Sequence, residues 1–336
     1  MHVALFWEPQ EDKAVRCNLC RQRCTIKDGR RGLCGVRANR AGTLYSLVYG
    51  RLTAAAVDPI EKKPLYHVLP GTQAFSIAAR GCNFRCLHCQ NCRIARVDAG
   101  ETFADDRRVT PTGIVKAALQ AGCRSIAYTY TEPVVYYELA AETARLAAEA
   151  GLKNIFVTNG YIAEEALRAL TPVLDAANID LKFFDDTLYR KVCGARLQPV
   201  LDVIRLHHEL GVWIEVTTLV IPSYNDAPDH LRAIARFLAS IDPRIPWHVT
   251  AFYPCHQMTG LPATPPATLR RARAIGLEEG LLYVYTGNIR DAEGGTTYCP
   301  QCGRAVIRRP LQGPGPAAPT GMICAACRHP VAGVWQ

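Results

Sequence analysis

From about residue 73 the chain alternates short apolar runs with stretches of helical periodicity, the pattern of repeated strand and helix units around a parallel sheet. The predicted strands are Ala74 to Ala79, Ser125 to Tyr130, Asn154 to Thr158, Asn178 to Phe183, Trp213 to Ile221, His248 to Tyr253 and Leu282 to Tyr285. Helical periodicity fills the gaps at Thr112 to Ala121, Val134 to Ala150, Glu164 to Leu174, Pro199 to Leu210, Pro228 to Ser240 and Thr268 to Glu279. Pro111 and Pro228 stand at helix starts, where a missing N–H costs nothing, and Gly122, Gly151 and Gly211 follow helix ends. The expected fold class is α/β, a partial (β/α)6 TIM-type barrel with small cysteine-rich metal-binding lobes at both ends.

Residues 1 to 50 lack a long periodic segment and are rich in cysteine and arginine, which suits a small metal-stapled lobe. The division that follows is an N-terminal cysteine-rich region over 1–72, the barrel over 73–296, and a C-terminal zinc-ribbon-like region over 297–336. The Pro-, Gly- and Ala-rich stretch from Pro310 to Thr320 reads as a flexible loop tip.

With 336 residues, 49% of them hydrophobic, the chain can bury one large core. No apolar run approaches the ~18 residues of a membrane span, and Met1 to Asp12 lacks the layout of a secretory signal, so the expected location is the cytoplasm. Fifteen cysteines, most of them in closely spaced groups, favour metal and cluster binding over disulfides in such a chain. The formal charge of +9 comes from scattered residues with only short runs such as Arg270-Arg271 and Arg308-Arg309. Ligated thiolates subtract from it, so nucleic acid is not an expected partner.

Parallel barrels concentrate chemistry at the carboxyl ends of their strands, and here those ends carry polar residues. The first strand leads to Cys82, Cys86 and Cys89, the second to Thr129 through Pro133, and the third to Thr158-Asn159-Gly160. Asp180 and Lys182 belong to the fourth, Glu215 and Thr217 to the fifth, and Tyr253-Pro254-Cys255-His256 ends the sixth. Glu215, between apolar neighbours, is a candidate substrate contact, with a partnered barrel-core carboxylate as the alternative.

In Gly81-Cys82-Asn83-Phe84-Arg85-Cys86-Leu87-His88-Cys89, three thiolates fit one wrap of backbone around a cubane 4Fe-4S cluster, which ordinarily takes four. A missing ligand leaves one iron open to bind and reduce a small molecule. Cys92, three residues on, is the residue that could close the site. A second set, Cys17, Cys20, Cys24 and Cys34, takes zinc or a second cluster, zinc being favoured. Cys299, Cys302, Cys324 and Cys327 form two CxxC knuckles in zinc-ribbon spacing, with rubredoxin-like iron as the lesser alternative. Cys123 and Cys193 read as buried thiols.

The Cys82–Cys89 segment resembles the signature of the radical S-adenosylmethionine superfamily, with His88 as the aromatic residue just before the third cysteine. From Cys17 to about Tyr298 the chain is similar to the radical enzyme of the AmmeMemoRadiSam system, a relative of the pyruvate formate-lyase activating enzymes, although that group usually carries an aromatic residue at Cys92. The resemblance implies that Glu132 accepts from the methionine amino group of S-adenosylmethionine, in Tyr-Thr-Glu instead of Gly-Gly-Glu. Thr158-Asn159-Gly160 matches the Asp-Thr-Asn-Gly segment except for Val157. Asp180-Leu181-Lys182 reproduces an Asp-Leu-Lys whose lysine pairs with the cofactor's carboxylate, and His256 matches a histidine near the ribose, although Cys255-His256 departs from the group.

The activity so implied is reductive cleavage of S-adenosylmethionine to a 5'-deoxyadenosyl radical that abstracts hydrogen from a substrate. A reductant such as flavodoxin or ferredoxin and Memo- or AMMECR-type protein partners are implied with it. The alternatives are a glycyl-radical enzyme activase and a closed-cluster electron-transfer or RNA-binding metalloprotein.

Overall fold

A computed structural model describes residues 1–98, 100–310 and 322–336. Most of the segment expected to form a loop tip, 311–320, lies outside the described residues.

The central sheet has eight strands: β1 (Ala54–Pro59), β2 (Gln73–Ala78), β3 (Ser125–Tyr128), β4 (Lys153–Thr158), β5 (Ala176–Asp180), β6 (Trp213–Val220), β7 (Trp247–Ala251) and β8 (Val284–Gly287). They lie in sequence order, with β2 to β8 parallel and β1 antiparallel along the edge of β2. The seven parallel strands occupy the seven predicted apolar runs, their ends displaced by no more than three residues. Ala54–Pro59 is the strand that sequence periodicity did not show, because three consecutive alanines give no alternation.

Among the described residues, seven α-helices of four residues or more dress the sheet: α1 (Cys92–Ala95), α2 (Pro111–Gln120), α3 (Tyr137–Glu149), α4 (Glu164–Leu170), α5 (Leu197–Glu209), α6 (Pro228–Ile241) and α7 (Pro266–Glu278). Thr110 caps α2, its hydroxyl accepting from the Gly113 N–H at 3.1 Å, and Pro111 takes the first helical position. The segment before α3 is a turn of 3-10 helix, Pro133–Tyr136, because Glu132 caps it and Pro133 sets its first dihedral. No helix among the described residues is long and apolar enough to cross a membrane.

The N-terminal lobe is built from two three-stranded antiparallel sheets, one of His2–Val3, Arg37–Arg40 and Thr43–Ser46, the other of Trp7–Pro9, Val15–Cys17 and Thr25–Ile26. It shares the main core: Val15, Leu19, Ile26, Val36 and Leu44 belong to the same buried cluster as the sheet and helices. Backbone hydrogen bonds from Arg21 N to Tyr161 O and from Ala163 N to Leu19 O stitch it to the loop after β4. The C-terminal lobe packs elsewhere, with Ile307, Met322, Val331 and Trp335 against Tyr66, Tyr283 and Tyr285. Buried Arg309 lies 4.1 Å over the Tyr66 ring and ties this lobe to the barrel by donating to Tyr66 O at 2.6 Å.

Helix α7 meets the sheet through Gly276, where an added Cβ would stand 2.8 Å from Val284 Cγ2 and 2.9 Å from Trp247 Cε3. Trp247 is fully buried. Gly276→Ala should therefore lower stability by about 1–3 kcal/mol, despite the better helix propensity of alanine. Thermal denaturation checks it, and an unchanged or raised melting temperature would contradict the close packing.

Candidate active site

The carboxyl ends of the parallel strands open into one cavity of about 420 Å³. Its walls carry Cys82, Cys86 and Cys89 from the loop after β2, Glu132 after β3, Thr158 and Asn159 at the end of β4, and Asp180 and Lys182 at the end of β5. Cys92 begins α1 and is not part of the wall.

The cysteine loop is held from both sides. Gly81, at φ +100°, has room for no side chain: a Cβ would lie 2.7 Å from Val36 Cγ1 and 2.8 Å from the Cys34 carbonyl. On the other side Arg85 N and Leu87 N donate to the carbonyls of Cys193 and Val192, at the end of a wide π-turn over Tyr189–Cys193. Cys193 is fully buried beside Cys86, a neighbour that nothing in the linear sequence indicates. The Phe84 N–H is directed at Cys82 Sγ at 3.4 Å and the Asn159 amide at 3.8 Å, as a thiolate there would require.

Glu132 is the hub of a hydrogen-bond chain in the same cavity wall. It is buried and its carboxylate accepts from Thr158 Oγ1 at 2.7 Å, Asn159 N at 2.8 Å and Val134 N at 3.2 Å. Asn159 in turn donates to Asn83 Oδ1 at 2.7 Å, so one chain of hydrogen bonds joins two strand ends to the cysteine loop. Burial outweighs the three donors and raises the Glu132 pKa to about 7.

Lys182 pairs with Asp180 at 2.8 Å. Burial opposes its charge, but Asp180 and the neighbouring Cys86 and Cys193 outweigh that, and its pKa is raised well above the ordinary lysine value. His88 is buried in the wall with both ring nitrogens unpartnered, and burial together with the Lys182 charge lowers its pKa to about 3, so the ring is neutral. At the mouth, Asp58 from β1 binds Lys63 at 2.6 Å and Lys62 at 3.0 Å and accepts from the Tyr130 hydroxyl. Tyr130 adopts φ 63° and lies under the Lys63 ammonium, 4.7 Å from the ring centre. Tyr130 belongs to the Thr129–Pro133 strand end named from the sequence, whereas Asp58 and Lys63 were not picked out there; the Asp-Pro-Ile-Glu-Lys-Lys-Pro stretch was the available signal.

Two expected residues sit elsewhere. Glu215 does not line the cavity: it is the third residue of β6, one layer below Thr217, and its carboxylate is fully used. It accepts from His248 Nε2 at 2.6 Å, His67 N at 2.8 Å, Tyr66 N at 3.0 Å and Trp213 Nε1 at 3.3 Å, the partnered core carboxylate of the alternative reading. His256 is also outside the wall, in a turn at φ 53°. That turn is fastened to the cysteine loop by Cys255 Sγ donating to His88 O at 3.2 Å and Gln257 N to Leu87 O at 2.9 Å.

Among the described residues, the cysteine groups differ in spread. Cys299, Cys302, Cys324 and Cys327 bring their sulfurs within 4.8 Å of one another, with 3.6 Å between Cys299 and Cys327 and 3.7 Å between Cys302 and Cys324. Cys82, Cys86 and Cys89 share a cavity without forming such a tight group. A single tetrahedral ion needs sulfurs about 3.8 Å apart, whereas a cubane holds them roughly 6 Å apart.

Glu132 gives the fold a pH dependence of predictable sign. Between the ordinary carboxyl range and about 7 the folded protein holds a proton there that the unfolded chain has released, so stability falls as pH rises through that window. Glu132→Gln should flatten this part of the profile while leaving the rest in place. Denaturant melts of both proteins at pH 5 and 7.5 test it; equal slopes would show that Glu132 titrates normally.

Residues 76–238 match the model of the Radical SAM superfamily. A protein of Methanocaldococcus jannaschii, itself uncharacterised, is 48% identical over 310 residues, 92% of each chain. Among solved structures, Streptococcus suis SuiB bound to precursor peptide SuiA shares 16% identity at a TM-score of 0.51, over 69% of this chain and 52% of that one. A domain of pyruvate-formate lyase-activating enzyme from Bacteroides vulgatus shares 20% identity at a TM-score of 0.43, over 49% of this chain and 99% of that one. The SuiB likeness is one of fold, while the archaeal relative extends over nearly the whole chain. With the domain match falling on the strands that carry the cysteines, Glu132 and Lys182, this chain belongs to the radical SAM superfamily and is an enzyme of the class that uses a 4Fe-4S cluster with S-adenosylmethionine.

Proposed function

We propose that the chain reductively cleaves S-adenosylmethionine and uses the resulting radical to take hydrogen from a substrate. The observation that carries this reading is the single cavity in which Cys82, Cys86 and Cys89 face Glu132, Asn159 and Lys182. The residues present fit the cofactors: three spread sulfurs, N–H donors aimed at Cys82, and a wall with a carboxylate on one side and an ammonium on the other. When bound, a 4Fe-4S cluster with one open iron supplies the electron that splits the sulfonium and frees a 5'-deoxyadenosyl radical.

The chain's own residues do the positioning. Cys82, Cys86 and Cys89 would hold the cluster, and Cys92, which does not line the cavity, would leave its fourth iron open. Glu132 in its ionised form accepts from the methionine ammonium, and Thr158 and Asn159 keep its carboxylate turned into the cavity. Lys182, steadied by Asp180, pairs with the methionine carboxylate. His88, neutral and without a partner, has two ring nitrogens to offer the ligand. Val157 and Leu219 supply apolar wall that keeps water from a radical.

The resemblance from Cys17 to Tyr298 favours the AmmeMemoRadiSam group over the glycyl-radical activases. The substrate on this reading is a small molecule or peptide handled with Memo- or AMMECR-type partners in the cytoplasm, with a flavodoxin or ferredoxin as reductant. The C-terminal quartet is read as a structural zinc site, since its sulfur separations match a tetrahedral ion.

Anaerobic incubation with S-adenosylmethionine and a strong reductant should release 5'-deoxyadenosine, and Cys92→Ala should keep both its iron and this activity. Loss of iron from Cys92→Ala would mean a closed cluster and would sink the proposal. Lys182→Met removes a charge-assisted contact and should weaken S-adenosylmethionine binding roughly ten- to a hundredfold. Equilibrium binding measures it, and an unchanged affinity would reduce the Asp180–Lys182 pair to a structural role. One equivalent of zinc per chain should be lost on Cys299→Ser/Cys324→Ser, as metal analysis would show; a variant that keeps its zinc would place the ion elsewhere.

A further inference from the structure

Cys17, Cys20, Cys24 and Cys34 line one narrow cavity in the N-terminal lobe, so the fold gathers all four despite their uneven spacing in sequence. Their sulfurs do not draw together as the C-terminal quartet does: no three of them lie within 4.8 Å of one another, whereas the C-terminal set is cross-linked by separations of 3.6 and 3.7 Å. A tetrahedral zinc bound at ~2.3 Å from each sulfur requires the tight arrangement. A cubane keeps its four thiolates apart by its own width. In this respect the N-terminal quartet resembles the Cys82, Cys86 and Cys89 set.

A second observation points into the same cavity. Arg37 is 2% exposed and forms part of its wall. One guanidinium nitrogen, Nη2, donates to Leu5 O at 2.6 Å and to Glu138 Oε1 at 2.7 Å, while Nε and Nη1 have no partner. Buried guanidinium N–H groups left unpaired are costly, and an anionic group rich in sulfur acceptors beside them removes the cost.

We propose that the N-terminal quartet holds a second 4Fe-4S cluster, ligated at all four irons, instead of zinc. With no open iron it can only take up and pass on single electrons: reduced once by a flavodoxin- or ferredoxin-class donor, it returns to its oxidised state as the electron moves on. The path onward is short in sequence and space. Asn83, in the wall of the quartet's cavity, is the residue after Cys82, and its carbonyl accepts from Gln22 Nε2 at 2.8 Å. The assignment of the metal does not depend on the proposed reaction.

The test is metal analysis with Mössbauer and EPR spectroscopy of the full chain prepared and reconstituted anaerobically. The wild type should hold about eight irons and eight labile sulfides, and Cys82→Ala/Cys86→Ala/Cys89→Ala about four of each, with the EPR signal of one reduced cluster. Cys20→Ala/Cys24→Ala should lose the other four, and if that variant fails to fold the wild-type count and the first variant still decide. A wild type with about four irons, or a triple variant with zinc but no iron, overturns the proposal. If the triple variant keeps its iron while the wild type fails to release 5'-deoxyadenosine, the reaction falls and the second cluster stands.

Discussion

The buried Glu132 carboxylate is the constraint on which the site is arranged. It sits where β3 and β4 end, takes three donors from Val134, Thr158 and Asn159, and through Asn159 reaches Asn83 and Cys82. A parallel sheet presents unpaired polar groups at the ends of its strands, and these must be satisfied by one another or by a ligand. Here they are satisfied around one acid, and that acid is thereby held in the wall of the cavity. Because burial keeps its pKa near neutrality, the arrangement is poised to gain from a cation that binds beside it.

A flexible cysteine loop could not hold three sulfurs in fixed relation by its own turn preferences. The fold therefore clamps it between the N-terminal lobe, at Gly81 against Cys34 and Val36, and the π-turn ending at Cys193. A π-turn widens a helix by one residue, and such turns recur at functional sites because they redirect backbone carbonyls. In this chain the redirected carbonyls of Val192 and Cys193 accept from the loop at 2.9 and 2.8 Å. Loop position thus depends on long-range contacts, those to the π-turn spanning more than a hundred residues of sequence.

That division explains what could be read from the chain. The barrel was legible because parallel strands buried on both faces write continuous apolar runs, and Pro111, Pro228 and the glycines after helices marked the ends. Cys82, Cys86, Cys89, Glu132, Asn159 and Lys182 were legible because each follows a strand, and strand ends converge by construction. Glu215 and His256 were assigned by the same rule, but the rule locates a rim and not a depth. Glu215 is too early in β6 to reach the rim, and its four donors come from segments whose approach no local pattern announces. Asp58 and Lys63 were missed, and with them their meeting with Tyr130, because it needs the antiparallel β1, which its run of alanines conceals.

The three cysteine groups make the same point about metals. Spacing along a chain limits which sulfurs can share a site, yet four thiolates serve zinc and a cubane alike, so the linear pattern cannot choose between them. What distinguishes the two is the size of the object the sulfurs must surround, and that is a property of the packed backbone. The C-terminal knuckles close to 3.6 and 3.7 Å because each is a tight turn whose N–H groups bond within the lobe, as Cys299 N does to Arg304 O and Cys324 N to His329 O. The N-terminal quartet is instead spread over a strand, two loops and the wall beside Arg37, braced by the backbone of another element at Tyr161 and Ile162. The placement of its four cysteines therefore follows from the barrel the lobe is fastened to.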